Sequence, residues 1–112
     1  MTVTIYHNPK CGKSRQTLAL LRDKGYAPEV VEYLRAPPSA GRLKDILRQL
    51  GMAPKDLLRR KEAAENGIDP GLPEEQLIAA MVAHPIVIER PIVLARGRAR
   101  IGRPPEAVLE IL

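Results

Sequence analysis

The stretch TVTIYHNPKCGKSRQTLALLRDKGYAPEVVEY (residues 2–33) decides the fold. Residues 2–6 alternate between polar and apolar side chains, which is typical of a strand. The apolar spacing then predicts a helix from residue 11 or 12 to residue 24, closed by Gly25 as a left-handed cap. Residues 29–33 predict a second strand. Because a helix joins the two strands within about 30 residues, we expect a β-α-β unit with parallel strands.

Beyond this unit the pattern changes to helices and then to a β-hairpin. Pro37 and Pro38 end the first unit, and the apolar residues that follow recur at helical spacing. Three helices are predicted next: one capped by Ser39, a short one from Pro54 that continues through Leu57, Leu58, Arg59 and Arg60, and one opened by Pro73 and ended by Pro85. Two strands follow, at residues 92–95 and 99–101. A last helix starts at Pro104 and Pro105.

The resulting order is β-α-β, three inserted helices, then β-β-α. This order resembles the thioredoxin arrangement, so we predict an α/β, thioredoxin-like fold in one domain, residues 1–112. Its core would be residues 1–36 and 86–112, with a helical insertion at 37–85 between strands 2 and 3. Periodicity does not give the order of strands in a sheet, so the fold name follows from the resemblance in the order of elements. Arg90-Pro91 lies directly before the third predicted strand, where thioredoxin-like folds place a cis proline facing the active cysteine.

Composition excludes several classes of protein. The chain has 112 residues, enough to bury about two-thirds of its surface in one domain. Its single cysteine excludes an internal disulfide and a Cys-only zinc site, and we expect neither a metal site nor a bound cofactor. No apolar run approaches the roughly 20 residues of a membrane-spanning helix, and the first residues lack the pattern of a secretory signal. With the lone free thiol, these features predict a cytoplasmic protein.

The net charge of +5 has three interpretations. A basic surface could attract nucleic acid. The excess could also be an ordinary solvated surface, which we favour. A third interpretation, that a few arginines converge on a small anion, cannot come from counting charges. An aromatic fraction of 3% leaves few rings on which to stack nucleobases. We therefore expect neither nucleic acid nor a membrane as a partner.

Cys11 lies where the first strand has ended and the first helix begins. The free N–H groups and the dipole of a helix N-terminus stabilise an anion, so a thiolate there should have a lowered pKa. Lys10, Lys13 and Arg15 act in the same direction, and Ser14 can donate a hydrogen bond to the sulfur, as can a backbone N–H. The alternative is a small buried apolar residue, as free cysteines often are. The charged and glycine neighbours in a turn favour the reactive interpretation.

The residues after Cys11 limit the chemistry of this thiol. Cys11-Gly12-Lys13-Ser14 lacks the second cysteine that a dithiol enzyme needs, so any redox cycle must use a thiol from another molecule. A tyrosine-phosphatase loop is disfavoured, since it needs His directly before the cysteine and Arg six residues after it. Lys10 and Thr17 occupy those positions. Arginines that bind an oxyanion must therefore come from distant segments.

The sequence resembles the glutaredoxin-coupled arsenate reductase family over essentially the whole chain. The resemblance starts with the loop from His7 to Arg15, His-Asn-Pro-Lys-Cys-Gly-Lys-Ser-Arg, followed by Thr17-Leu18. The further matching motifs, in the family's order and spacing, are Tyr33-Leu34-Arg35-Ala36-Pro37-Pro38, Leu57-Leu58-Arg59-Arg60-Lys61, His84-Pro85-Ile86, Glu89-Arg90-Pro91-Ile92-Val93 and Gly102-Arg103-Pro104-Pro105-Glu106.

The resemblance implies roles for six residues. Cys11 would be the nucleophile, and His7 and Ser14 would help to keep it ionised. Arg59, Arg90 and Arg103 would bind the arsenate oxyanion, because a guanidinium stays charged and offers forked donors. Arg60 directly follows Arg59, so the arginine of this segment that binds the oxyanion could be Arg60 instead. The resemblance also implies glutathione as a co-substrate and glutaredoxin as a partner, and we expect a monomer.

Two other functions stay open. One is a monothiol oxidoreductase that acts on glutathione mixed disulfides or on another oxyanion. The other is a non-enzymatic regulator that binds a transcription complex, as some relatives with this fold do. Those relatives usually carry a Cys-x-x-Cys switch, which Ser14 abolishes here.

Overall fold

The computed structural model describes residues 2–112, and the chain divides into two compact units. The sheet unit is the chain up to Ala36 together with Arg90–Leu112, and the helical unit is Pro37–Glu89. The elements of the sheet unit are β1 (Val3–Tyr6), α1 (Gly12–Asp23), β2 (Glu29–Val31), β3 (Ile92–Ala95), β4 (Arg98–Ile101) and a C-terminal 3₁₀ helix (Pro105–Ile111).

The strands of the sheet unit lie in the order β2-β1-β3-β4. β1 is parallel to β2, with Ile5 opposite Val30, and antiparallel to β3, with Ile5 opposite Val93. β4 pairs with β3 as an antiparallel hairpin. This topology confirms the predicted α/β, thioredoxin-like fold and the parallel pairing within the first β-α-β unit.

Burial explains which strands lie in the centre of the sheet. All four residues of β3 are buried, as are three of the four in β1, whereas β2 has two exposed residues and β4 alternates exposed arginines with buried or half-buried side chains. A strand paired on both sides and covered on its faces needs apolar residues throughout, and an edge strand tolerates charge. The second strand ends at Val31, two residues earlier than predicted.

The core of the sheet unit is aliphatic. Helix α1 and the C-terminal 3₁₀ helix pack against each other and contribute apolar residues to the same cluster as β1 and β3. Each fully buried leucine or isoleucine stabilises the fold by roughly 1.5–3 kcal/mol. The buried members of the cluster are Val3, Ile5, Leu18, Leu21, Val93, Ala95, Val108 and Ile111.

The helical unit contains α2 (Ala40–Leu50), α3 (Pro54–Leu57), α4 (Arg60–Glu65), α5 (Glu74–Ala83) and a 3₁₀ turn (Pro85–Val87). Ser39 caps α2, since its Oγ accepts the N–H of Arg42 at 3.1 Å. None of the helices in the described part of the chain has the length and apolar character needed to cross a bilayer.

The prediction of a short helix that continues from Pro54 through Arg60 is wrong. Helix α3 ends at Leu57 and α4 begins at Arg60, so residues 37–89 contain four α-helices instead of three. Leu58 is extended and forms a β-bridge with Ile88. The N–H of Arg59 donates to the carbonyl of Val87 at 2.7 Å, and the N–H of Glu89 donates to that of Leu57 at 2.8 Å. This long-range pairing interrupts the helix and also attaches residues 86–89 to the helical unit.

Candidate active site

Cys11 is the N-cap of α1. Its backbone is extended (φ −94°, ψ 122°), and its carbonyl accepts the N–H of Arg15 at 3.0 Å, the first helical hydrogen bond. Asn8 shapes the turn before it: its side-chain Oδ1 accepts the N–H of Lys10 and its carbonyl accepts the N–H of Cys11, both at 3.0 Å. The sulfur therefore lies beside the free N–H groups of the first turn, where a helix stabilises negative charge.

The surroundings of the sulfur favour its ionised form. Partial burial raises the pKa of the Cys11 thiol, because a charged group loses solvation there. The backbone N–H of Ser14 and a hydrogen bond from the side chain of Arg90 lower this pKa, and the charge of Arg103 and the N–H of Lys13 lower it further. Together they outweigh burial, so the pKa of Cys11 lies below its ordinary value.

Two arginines from the far end of the sequence meet at this sulfur. Nη2 of Arg103 donates to Sγ of Cys11 at 3.4 Å, and its Nε donates to the carbonyl of Arg90 at 2.8 Å. The side chain of Arg90, only 8% exposed, hydrogen-bonds the same sulfur. Both arginines precede a proline in a cis peptide bond, Arg90–Pro91 and Arg103–Pro104. The sheet unit thus places two guanidinium groups against one thiol.

Gly102 allows this approach because it has no side chain. A Cβ on Gly102 would lie 2.8 Å from Cγ of Pro91 and 3.0 Å from Cγ2 of Thr17, and would overlap the Thr17 hydroxyl. The N–H of Gly102 donates to the carbonyl of Pro91 at 3.0 Å, and Thr17 Oγ1 donates to the carbonyl of Lys13 at 2.8 Å. The backbone before Arg103 is therefore pressed against the first turns of α1. Sequence reasoning gave Gly102 no role, although its place directly before a site arginine was a usable signal.

His7 and Ser14 form a buried pair at the two ends of the cysteine loop, residues 7–14. His7 Nδ1 and Ser14 Oγ share a hydrogen bond of 2.6 Å, and Ser14 Oγ also accepts the N–H of Asn8 at 3.0 Å. The sequence predicted that the Ser14 hydroxyl or a backbone N–H donates to the sulfur. In the structure the hydroxyl is hydrogen-bonded to His7 and to the N–H of Asn8, and the backbone N–H of Ser14 donates to the sulfur.

The surroundings of the His7 imidazole disfavour its protonated form. Burial lowers its pKa below 6.5, since the protonated ring loses solvation, while Glu32 raises it and Arg22 and Arg15 lower it. The lowered pKa disfavours the imidazolium form of His7, so His7 is a weaker source of positive charge for the thiolate than the nearby arginines. Its contact with the cysteine loop is the hydrogen bond to Ser14.

Arg59 belongs to the helical unit, where it is paired with two carboxylates. Its Nε donates to Glu62 at 3.1 Å and its Nη1 donates to Glu89 at 2.8 Å. Burial lowers the pKa of Arg59, but the hydrogen bonds and charges of these two carboxylates outweigh it and raise that pKa. Arg60 is exposed at the start of α4. The three predicted anion ligands thus divide into Arg90 and Arg103 at the sulfur and Arg59 in an ion-pair cluster.

The strand order, with one cysteine at the start of the first helix and no second cysteine in the sequence, defines a thioredoxin-like protein with a single thiol. A protein-family model, that of the ArsC family, matches residues 6–111 of the chain. The chain therefore belongs to the ArsC family.

Individual relatives cover nearly the whole chain. The uncharacterized protein YfgD of Escherichia coli (strain K12) is 55% identical over 98% of this chain and 96% of that protein. An arsenate reductase of Rhizobium meliloti is 49% identical over 100% of this chain and 82% of its own length. The solved structure of an arsenate reductase from Vibrio cholerae has a TM-score of 0.92 at 51% identity, covering 100% of this chain and 98% of that chain.

Proposed function

We propose that this protein reduces arsenate to arsenite with Cys11 as the nucleophile and with glutathione and glutaredoxin as reductants. The observation that carries the proposal is the contact of the Cys11 sulfur with the guanidinium groups of Arg90 and Arg103. A lone thiol with a lowered pKa next to two cations suits attack on an oxyanion. The names of relatives that are 46–49% identical support arsenate as that oxyanion.

In the first step, the Cys11 thiolate attacks arsenic and an arsenate oxygen leaves as water after taking up a proton. The product is a cysteinyl-arsenate in which arsenic is still As(V). Thiolate and arsenate are both anions, so their repulsion opposes this step. Arg90 and Arg103 offset that repulsion because they offer positive charge and N–H donors fixed before the substrate arrives.

The second step supplies two electrons from outside the chain, because Cys11 has no partner cysteine. Glutathione attacks arsenic in the cysteinyl-arsenate, and a second oxygen leaves as water. The glutaredoxin thiol then attacks the glutathione sulfur and forms a mixed disulfide, and the electron pair of the broken sulfur–arsenic bond stays on arsenic, which becomes As(III). Water then cleaves the bond between arsenic and the Cys11 sulfur, which releases arsenite and restores the thiol, so that in total one oxygen of arsenate ends in water. Two thiols are oxidised to one disulfide while As(V) becomes As(III). These reductants imply a reducing compartment.

Arg59 enters the proposal through the family resemblance. A guanidinium has five N–H donors, and the pairs with Glu62 and Glu89 use Nε and one donor on Nη1. The remaining donors could bind an arsenate oxygen. The two carboxylates around one cation reduce its attraction for an anion, so we expect Arg59 to orient the substrate more than to neutralise it.

A coupled assay tests the proposal. Arsenate is incubated with the protein, glutathione, glutaredoxin and glutathione reductase, and NADPH oxidation is followed. We expect arsenate-dependent oxidation that disappears in Cys11→Ser. A parallel assay with thioredoxin and its reductase should give little turnover. Full activity in Cys11→Ser contradicts the nucleophile, and faster turnover with thioredoxin contradicts the choice of reductant. Reduction of a glutathione mixed disulfide without any arsenate turnover would favour the monothiol oxidoreductase.

A further inference from the structure

A groove of about 250 Å³ lies beside the cysteine loop in the sheet unit. It is at the carboxyl ends of the parallel strands β1 and β2, because its lining residues directly follow these strands. Ligands of α/β sheets commonly bind at this edge. The lining residues are His7, Asn8, Pro9, Lys10, Glu32, Leu34 and Arg35.

The walls of the groove are held by backbone hydrogen bonds. The N–H of His7 donates to the carbonyl of Val31 at 2.8 Å, which continues the pairing of β1 and β2. The N–H of Arg35 donates to the carbonyl of Glu32 at 2.9 Å, and Asn8 Oδ1 holds the N–H of Lys10. The groove is therefore formed before any ligand arrives.

Two cations and one anion surround an apolar floor. Lys10 and Arg35 are exposed, and within residues 2–112 their side chains make no ion pair. Glu32 is exposed on the same groove, and its charge acts on His7. Leu34 is 36% exposed, unusual for a leucine in this chain. These charges complement a ligand with two carboxylates, one ammonium and a less polar middle.

We propose that this groove binds the thiol co-substrate, a small peptide of the glutathione type, with its carboxylates at Lys10 and Arg35 and its ammonium at Glu32. The inference rests on the proposed function, which needs such a thiol. The groove volume lies slightly below the roughly 300–1,000 Å³ of drug-sized ligand pockets, so part of the tripeptide stays in solvent.

Lys10 connects the groove to the reacting cysteine along the chain. Lys10 directly precedes Cys11, and neighbouring Cα atoms are about 3.8 Å apart. In this proposal the glutathione thiol lies at the Lys10 end of the groove, on the side of the residue that carries the cysteinyl-arsenate. Binding in the groove would make the attack of the glutathione thiol on arsenic effectively unimolecular, which speeds this step.

Kinetics with variants test the groove in the working enzyme. Lys10→Gln and Arg35→Gln should each raise KM for glutathione about fivefold, because each loses one exposed ion pair. KM for arsenate should rise less than KM for glutathione, since the proposal places Lys10 and Arg35 at the carboxylates of glutathione. Lys10→Arg and Arg35→Lys should restore most of the affinity. The control is Lys24→Gln, an exposed lysine past the other end of α1.

Direct binding gives a readout that needs no turnover. S-methylglutathione has no free thiol, so it binds without disulfide exchange. In an NMR titration of the wild-type protein, we expect shifts in the backbone amides of Lys10, Leu34 and Arg35. We expect much weaker binding of its dimethyl ester, in which both carboxylates are capped.

The outcomes separate this inference from the proposed function. Binding of S-methylglutathione in the groove without arsenate turnover contradicts the proposed reaction and supports the site. Glutathione-dependent turnover with an unchanged KM in Lys10→Gln and Arg35→Gln overturns the site and leaves the reaction standing. A raised KM for glutaredoxin instead of glutathione would also overturn it, since the groove would then recognise the protein partner.

Discussion

Arg103 and Cys11 are 92 positions apart in the sequence, yet Nη2 of Arg103 donates to Sγ of Cys11 at 3.4 Å. The hairpin of β3 and β4 brings the end of the chain back to the N-terminus of α1, and the hydrogen bond from Arg103 Nε to the carbonyl of Arg90 fixes the direction of the guanidinium. One donor thus acts on the thiolate while another anchors the side chain. Removing this side chain should change both the acidity of the thiol and its reactivity.

We predict that Arg103→Gln raises the pKa of Cys11, because a positive charge that favours the thiolate is lost. The ultraviolet absorbance of the thiolate against pH measures this directly. In the proposed reaction, kcat/KM for arsenate should fall roughly 100-fold, as for other losses of a donor to a developing charge. Arg98→Gln is the control, since Arg98 donates to the carbonyl of Glu110. An unchanged titration curve in Arg103→Gln would show that the contact does not act on the thiol.

Gly102→Ala should destabilise the protein by roughly 1–3 kcal/mol, because the added methyl group overlaps Thr17 and Pro91. Urea unfolding measures the difference in the free energy of unfolding. Gly41→Ala is the matched control: its added Cβ meets nothing within 4 Å in α2, so it should be neutral or stabilising by up to about 1 kcal/mol. Equal effects of the two substitutions would contradict the tight approach at Gly102.

The Cys11 thiolate should make stability depend on pH. The pKa of Cys11 is lower in the folded protein than its ordinary value, so the unfolded chain holds this proton to higher pH. Its contribution is then fully present above the ordinary pKa and is lost as pH falls through the folded pKa. The difference in unfolding free energy between wild type and Cys11→Ser should therefore grow in favour of wild type as pH rises through this window. A difference that stays constant, or shrinks with rising pH, would mean that the pKa of Cys11 is not lowered.

Ser14→Ala should cost about 1–3 kcal/mol, because it leaves His7 Nδ1 and the N–H of Asn8 buried without their shared partner. Ser39→Ala, which removes the exposed cap of α2, should cost about 1 kcal/mol. The backbone N–H of residue 14 remains in Ser14→Ala, so the thiol should titrate closer to wild type than in Arg103→Gln. A larger pKa change in Ser14→Ala would assign the acidity of Cys11 to the hydroxyl.

Local patterns predicted much of the fold. Helix α1, its end at the left-handed Gly25 (φ +89°) and the cysteine at its first turn depend on neighbours within a few residues. The pattern failed at Leu58, where the chain is extended although the local sequence suits a helix. The bridge to Ile88, 30 positions away, competes with the helical hydrogen bonds there, and no local pattern contains that information.

The candidate site also has a part that local sequence predicts and a part that only tertiary packing decides. The sequence by itself determined that a single thiol stands at the start of a helix between two strands, because strand, turn and helix propensity are properties of short segments. Only the tertiary structure decided which charges surround the candidate ligands: Arg90 and Arg103 at the sulfur, and Glu62 and Glu89 around Arg59. An arginine finds its partner through strand order, the hairpin and close approaches such as that of Gly102. These depend on packing between segments that are distant in the chain.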